Sequence, residues 1–125
     1  MFDTVLVAGL GLMGGSMAKT IKARTLSRVL GWNRTRATAE QALADGSIDA
    51  IATDALFREV DLVIIGLYPQ ATVDWLLENM PKMKKGCVIV DMVGVKQFMV
   101  DHLEQAALDA GVHYVGGHPM AGREF

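Results

Sequence analysis

Short apolar runs recur along the chain at intervals that leave room for a helix between them. The run at 62–67, LVIIGL, contains no polar side chain, which is typical of a strand covered on both faces of a sheet. On this pattern we expect strands at residues 4–8, 28–32, 51–52, 62–67, 87–91 and 114–116.

The segments between these runs have the spacing of helices. We expect helices at 13–23, 36–45, 69–80 and 96–110, with a brief helical turn at 54–59. Pro69 suits the first turn of a helix, and Gly46 and Gly111 suit helix ends. Alternating strands and helices predict an α/β fold, a doubly wound parallel sheet in three α-β-α layers. The expected strand order is 3-2-1-4-5-6, which places a ligand crevice at the carboxyl ends of the first and fourth strands.

Composition narrows the classes of protein and of partner. A chain of 125 residues, 51% of them hydrophobic, fits one domain with a sizeable core. The net charge of −2 and the lack of a basic stripe argue against nucleic acid as a partner. No apolar run has the length of a membrane span, so we expect no membrane partner. No signal peptide is evident, and Cys87 is the single cysteine, which favours the cytoplasm and a buried, inert thiol. No ligand spacing indicates a metal.

The first strand opens onto a glycine motif. Residues 5–15 read VLVAGLGLMGG, which places Gly9-x-Gly11-x-x-Gly14 between a strand and a helix. In a Rossmann-type domain the first glycine allows the tight turn, the second leaves room for a pyrophosphate, and the third lets the helix pack closely. The helix N-terminus then offers free N–H groups to the phosphates. The motif predicts dinucleotide binding by Gly9, Gly11 and Gly14, with Leu10, Leu12 and Met13 supplying neighbouring backbone or packing.

The turn after the second strand indicates which dinucleotide binds. An acidic residue there would select NAD, but this chain has Asn33, Arg34, Thr35 and Arg36, beginning 24 residues after Gly9. Asn33 is neutral, and arginine binds phosphate through charge-assisted bonds, so the turn favours NADP with NAD as the alternative. The competing interpretation is a solvated basic turn that opens a helix. At the end of the fourth strand, Leu67, Tyr68 and Pro69 are expected to border the riboses.

The last segment carries the candidate for catalysis. His118 lies between loop glycines and a proline after the sixth strand, where its side chain can face the crevice, and Met120 follows it there. His102 falls in a charged helix and His113 opens a strand, so neither competes with it.

Four segments together resemble the prephenate dehydrogenase family. They are GLGLMGGSMAK from Gly9, DLVIIGLYP from Asp61, DMVGVK from Asp91 and GGHPMAGRE from Gly116. The resemblance spans essentially the whole chain, and its last segment is the most specific. It implies an NAD(P)-dependent oxidative decarboxylation of prephenate to 4-hydroxyphenylpyruvate in tyrosine biosynthesis. It also implies that His118 takes the proton of the substrate's 4-hydroxyl while hydride passes to the nicotinamide.

The resemblance has further implications and some departures. Gly94 stands where family members often carry serine, and Arg123 where many carry a small hydroxyl residue. Lys96 matches the family's lysine and either adds positive field near the substrate or is a solvated helix-start lysine. Residues 1–125 would then be the nucleotide-binding domain of a longer enzyme whose helical second domain forms a homodimer and binds the substrate carboxylates. This fragment alone would be inactive.

Three alternatives stay open at this point. The first is an arogenate dehydrogenase, which differs only in the substrate's amino group. The second is a 3-hydroxyacid dehydrogenase of the β-hydroxyacid group, which shares the Asn-Arg-Thr turn but places its catalytic lysine in a C-terminal domain. The third is a regulatory domain that senses NADP without chemistry.

Overall fold

The computed structural model describes residues 2–92 and 97–115. Within them, parallel strands form one sheet in the order β3-β2-β1-β4-β5-β6. The bounds are β1 Thr4–Ala8, β2 Arg28–Trp32, β3 Ala50–Ile51, β4 Leu62–Ile65, β5 Val88–Asp91 and β6 His113–Val115. β1 lies at the centre and pairs with β2 from Thr4↔Arg28 to Ala8↔Trp32. The strand order predicted from the sequence is confirmed.

In this described part of the chain, four α-helices lie between the strands. They are α1 Leu12–Arg24, α2 Arg36–Ala44, α3 Pro69–Asn79 and α4 Gln97–Ala110, and a 3-10 helix spans Asp54–Glu59. Pro69 occupies the first turn of α3, as expected for a residue with no N–H to donate. Gly46 and Gly111, with φ of 81° and 75°, follow α2 and α4 in the left-handed region.

The core divides between the two faces of the sheet, and alternate strand residues enter different halves. Leu6 and Leu30 pack on one face with Leu76 of α3 and Leu103 of α4. On the other face, Val7 and Val29 pack with side chains of α1 and α2, namely Ala18, Ala39 and Ala42. The central strands are thus buried on both sides, which explains their continuous apolar runs and confirms the three-layer architecture.

Differences from the predicted bounds are small and have local causes. α3 ends at Asn79 and continues as a 3-10 helix, Met80–Lys82, because Pro81 cannot donate a backbone hydrogen bond and disfavours the α conformation before it. β4 ends at Ile65 rather than at 67, and the N–H of Gly66 still donates to the carbonyl of Ala8 on β1, at 2.9 Å. β3 is one residue earlier than expected.

Two carboxylates fix the amino edge of the sheet. Asp61 accepts the N–H groups of Asp3 and Thr4, each at 2.9 Å, and pairs with Lys84. Asp49 accepts the N–H of Val29 at 2.8 Å and pairs with Lys22. The hydrogen bonds from Lys84 and Lys22, and then those from the backbone, lower the pKa of Asp61 and Asp49. These contacts hold β1 and β2 at the end of the sheet opposite the crevice.

Cys87 is buried just before β5. Burial, followed by the charge of Asp61, raises the pKa of its thiol to about 11, so the thiolate is scarce near neutral pH. None of the helices among the described residues has both the length and the apolarity needed to cross a membrane.

Candidate nucleotide-binding site

The candidate site lies between β1 and β4, which are neighbours in the sheet. β2 and β3 lie on one side of β1, and β4, β5 and β6 lie on the other, so the order of the strands changes direction at this point. α1 follows β1 onto one face, and α3 follows β4 onto the other. The carboxyl ends of these strands therefore border an open crevice, the usual ligand position in an open parallel sheet. The predicted cofactor residues lie on the turns that follow β1, β2 and β4 and in the first turns of the helices that come after them.

The turn after β1 requires glycine at its first position. Gly9 has φ of +93°, a conformation that side chains rarely adopt. A Cβ there would also lie 2.8 Å from the carbonyl oxygen of Gly66 and 3.0 Å from Cδ2 of Leu67. The N–H of Gly9 donates to the carbonyl of Trp32 at 2.8 Å. The first turn is thus in direct contact with the ends of β2 and β4.

Gly14 and Gly11 differ in what surrounds them. A Cβ on Gly14 would lie 1.6 Å from the carbonyl oxygen of Gly9, so α1 packs directly on the turn that precedes it. A Cβ on Gly11 would meet nothing within 4 Å. Gly11 instead lines a groove of about 720 Å³ that continues between α1 and α2. Gly11 therefore leaves open space against bare backbone, which fits the close approach of a pyrophosphate.

The N-terminus of α1 is suited to an anion. Gly11 caps the helix without a side-chain hydrogen bond, and the first turn carries no acidic residue. The first N–H groups of a helix have no intrahelical acceptor and carry a partial positive charge. Leu12 and Met13 belong to this first turn, and the helix begins at Leu12, one residue earlier than the predicted start at residue 13. The backbone of α1 can therefore donate to phosphate oxygens.

The turn after β2 is joined to the first turn by one side chain. Asn33 accepts the N–H of Leu10 at 2.7 Å through Oδ1 and donates to the carbonyl of Thr35 at 3.1 Å through Nδ2. Arg34 is exposed, and within the described part of the chain it has no ion-pair partner. Arg36 pairs with Glu40 one turn along α2, with Nε and Oε2 at 3.3 Å. Thr35 precedes α2 without a side-chain capping bond.

The turn after β4 forms the opposite wall of the crevice. Leu67 is half-buried against the core, whereas the side chain of Tyr68 is 86% exposed. Thr72 holds this turn: its hydroxyl donates to the carbonyl of Leu67 at 3.1 Å, and its N–H donates to that of Tyr68 at 2.8 Å. Sequence analysis missed Thr72, although a threonine three residues after a helix-starting proline was a usable signal.

A hydrogen-bonded pair joins the last residue of β5 to the middle of β6. Asp91 is fully buried, and the hydroxyl of Tyr114 donates to its Oδ2 at 3.2 Å. Burial and then the charge of Asp91 raise the pKa of Tyr114. The sequence analysis missed this pair as well, although an aspartate closing an apolar strand was a signal. Met92, which follows Asp91, places its Cε 3.1 Å from the position of a Cβ on Gly66.

The substrate-side candidates, namely Gly94, Lys96, Met120 and the proposed catalytic residue His118, lie outside the described residues. Their roles stay predictions. In the part of the chain that is described, no group of three His, Cys, Asp or Glu side chains is placed to hold a metal ion.

Comparisons with known proteins bear on the site once this geometry is established. Residues 17–125 match the family model described as prephenate dehydrogenase, nucleotide-binding domain. The chain is 37% identical over 126 aligned residues to a prephenate dehydrogenase of Bacillus subtilis (strain 168), covering 98% of this chain and 34% of that protein. It is 28% identical to a prephenate dehydrogenase of Lactococcus lactis subsp. cremoris (strain MG1363), covering 94% and 34%.

A solved structure agrees with these relatives. The crystal structure of prephenate dehydrogenase from A. aeolicus, in complex with hydroxyphenyl propionate and NAD+, superposes with a TM-score of 0.81 at 25% identity. The match covers 98% of this chain and 43% of that one. The chain thus spans about a third of the length of the curated relatives it matches. With its glycine turn, its parallel sheet and these matches, the chain belongs to the prephenate dehydrogenase family, as its nucleotide-binding domain.

Proposed function

We propose that this chain is the cofactor-binding domain of an NAD(P)-dependent enzyme that oxidatively decarboxylates prephenate to 4-hydroxyphenylpyruvate. The observation that carries the proposal is the open space above Gly11 at the N-terminus of α1, in a chain of this family. That space has the position and the bare backbone that a pyrophosphate requires.

Binding in this proposal is done mainly by backbone. The turn after β1 leaves room for the pyrophosphate, the N–H groups in the first turn of α1 donate to it, and the turn after β4 borders the riboses. The residues assigned to these segments are Gly9, Leu10, Gly11, Leu12, Met13, Gly14, Leu67, Tyr68 and Pro69.

The second turn would select the cofactor. Arg34 and Arg36 supply positive charge, and Thr35 supplies a hydroxyl that no capping bond uses. We propose that these residues bind the 2′-phosphate of NADP, with NAD as the alternative cofactor. The relative from A. aeolicus was crystallised with NAD+, so the preference must be measured for this protein.

Catalysis in the proposal depends on the segments after β5 and β6. The bound dinucleotide supplies a hydride acceptor. His118 takes the proton of the substrate's 4-hydroxyl as hydride leaves the adjoining carbon, and the ring becomes aromatic with loss of carbon dioxide. An imidazole suits this step near neutral pH because its unperturbed pKa is about 6.5. Gly94, Lys96 and Met120 are assigned to the substrate side.

A steady-state assay of the complete protein tests the proposal, with prephenate, arogenate and a 3-hydroxyacid each paired with NADP and NAD. We expect turnover of prephenate. Turnover of arogenate alone would indicate an arogenate dehydrogenase. Turnover of a 3-hydroxyacid would indicate a 3-hydroxyacid dehydrogenase and would contradict the proposed reaction. Dinucleotide binding without turnover of any of these would indicate a sensing domain instead.

We further propose that the complete protein is a homodimer and that residues 1–125 alone are inactive.

A further inference from the structure

We propose that Asn33 is a positioning residue that holds the glycine turn in its binding geometry, while Arg34 and Thr35 contact the adenosine end of the cofactor. The inference rests on the proposed dinucleotide binding and deepens it. It differs from the expectation from sequence, in which Asn33 contacts the ribose itself.

The amide of Asn33 is already engaged on both sides. Its Oδ1 accepts the N–H of Leu10 at 2.7 Å, and its Nδ2 donates to the carbonyl of Thr35 at 3.1 Å. A side-chain amide has one oxygen and one NH₂ group, and here each is bonded to backbone. One bond crosses to the turn after β1, and the other stays in the turn after β2. The side chain therefore ties the two turns together.

The neighbouring contacts strengthen this arrangement. The N–H of Gly9 donates to the carbonyl of Trp32, at 2.8 Å. Consecutive residues at the end of β2 thus accept consecutive N–H groups of the glycine turn. The side chain of Leu10 is buried in the core on the α1 face, so packing also holds the turn in place. With the N–H groups of Gly9 and Leu10 engaged, those offered to a pyrophosphate are the ones in the first turn of α1.

The same contacts explain why an amide suits this position. A carboxylate would still accept the N–H of Leu10, but it has no N–H to donate to the carbonyl of Thr35. It would also place a negative charge beside the arginines of the second turn. Asn33→Asp therefore keeps the bond from Leu10 and removes the bond to Thr35, whereas Asn33→Ala removes both.

The experiment uses the ¹⁵N-labelled protein and three ligands: NAD, NADP and adenosine 2′-monophosphate. The last ligand carries the adenosine and the 2′-phosphate but no pyrophosphate. In Asn33→Ala we expect hydrogen exchange at the Leu10 amide of the free protein to accelerate about tenfold or more. Affinity for NAD and for NADP should fall by the same factor, about tenfold, while affinity for adenosine 2′-monophosphate stays within about twofold.

Thr25→Val is the matched control. The hydroxyl of Thr25 donates to the carbonyl of Ile21 and accepts the N–H of Ser27, so it also makes two bonds to backbone, but at the far end of α1. This variant should leave Leu10 exchange and the three affinities unchanged.

Several results would overturn the inference. One is unchanged Leu10 exchange, or unchanged dinucleotide affinity, in Asn33→Ala. Another is a loss of adenosine 2′-monophosphate binding as large as the loss for NADP, because that would mean direct contact with the ribose. Should Asn33→Ala fail to fold, Asn33→Asp decides: Leu10 exchange must stay slow and NAD affinity must hold while NADP affinity falls. If the wild-type protein binds no dinucleotide, the proposed function fails, and Leu10 exchange still tests the positioning role.

Discussion

At the scale of single residues, the three motif glycines serve three separate purposes. Gly9 adopts a positive φ, Gly14 removes a clash between α1 and the preceding turn, and Gly11 leaves space that no protein atom fills. The motif looks uniform in sequence, yet only Gly9 and Gly14 concern folding. Gly11 concerns the ligand, and this division can be tested with single methyl groups.

Adding a methyl group at Gly14 should lower stability, whereas adding one at Gly11 should lower dinucleotide affinity. Gly14→Ala forces a Cβ against the carbonyl oxygen of Gly9, so we expect a loss of about 3 kcal/mol in the free energy of unfolding. Gly11→Ala meets nothing, so stability should change by less than about 0.5 kcal/mol, while dinucleotide affinity falls about tenfold. Urea unfolding and calorimetric titration measure the two quantities.

The outcome that contradicts this division is equally clear. Full stability in Gly14→Ala would mean that α1 does not pack on the turn as described. Undiminished affinity in Gly11→Ala would mean that the pyrophosphate lies elsewhere.

At the scale of elements, the two edges of the sheet have different purposes. The carboxyl edge carries the three turns of the candidate site. The amino edge carries Asp49 and Asp61, whose carboxylates accept backbone N–H groups of β2 and β1 and pair with lysines. Changes at the carboxyl edge are therefore expected to alter ligand affinity, and changes at the amino edge are expected to alter stability and its dependence on pH.

The pH dependence follows from the lowered pKa of Asp61. A carboxyl whose pKa is lower in the folded state contributes stability above its unfolded pKa of about 4, and this is lost as pH falls through the folded value. We expect Asp61→Asn to lower the free energy of unfolding by about 1 kcal/mol at pH 7. The difference from wild type should narrow as the pH falls from about 5 toward 2.

Asp54→Asn is the control for this experiment. Asp54 pairs with Lys82 on the surface, and its side chain is 79% exposed, so its removal should change stability little at any pH. A constant difference between Asp61→Asn and wild type across the pH range would show that the Asp61 charge is not responsible.

The turn after β2 yields a prediction about cofactor choice. Replacing Arg34 and Arg36 with alanine should reduce NADP affinity about ten- to a hundredfold, because charge-assisted bonds to the 2′-phosphate are lost. NAD affinity should stay within about twofold. Arg28→Ala is the control, since Arg28 pairs with Glu59 at the opposite end of β2. Equal NADP affinity in the double variant would favour the solvated-turn interpretation. Fluorescence titration with both cofactors measures the effect.

At the scale of the whole molecule, the fold brings together turns that are distant along the chain. Gly9, Asn33 and Leu67 lie on separate turns, yet they meet at one edge because parallel strands present their carboxyl ends together. β5 and β6 also end at this edge. Binding and chemistry are therefore expected to depend on different parts of the chain.

His118→Asn in the complete protein tests that separation. We expect the rate of prephenate turnover to fall about 10²- to 10⁴-fold, the usual contribution of a general base, while dinucleotide affinity is retained. His113→Asn is the matched control, because His113 is exposed on β6 only a few residues earlier. Unreduced turnover in His118→Asn would remove this histidine from the proposed mechanism.

Much of this protein was predictable from its sequence alone. Apolar runs separated by helical segments predicted the α/β fold, the strand order and the position of the crevice, because each depends on local periodicity and chain connectivity. The glycine spacing predicted the turn after β1, since Gly9 and Gly14 each meet a local steric requirement. The bounds of β1, β2 and the 3-10 helix at Asp54–Glu59 matched to the residue.

Only the tertiary structure decided which polar groups meet across that framework. The bond from Leu10 to Asn33, the pairing of Tyr114 with Asp91 and the contacts of Asp61 with the start of β1 join residues far apart in sequence. Periodicity carries no information about such pairs, because it reports which face a side chain occupies and not which partner lies there. Those contacts depend on the register and spacing of neighbouring strands, which exist only once the sheet has formed.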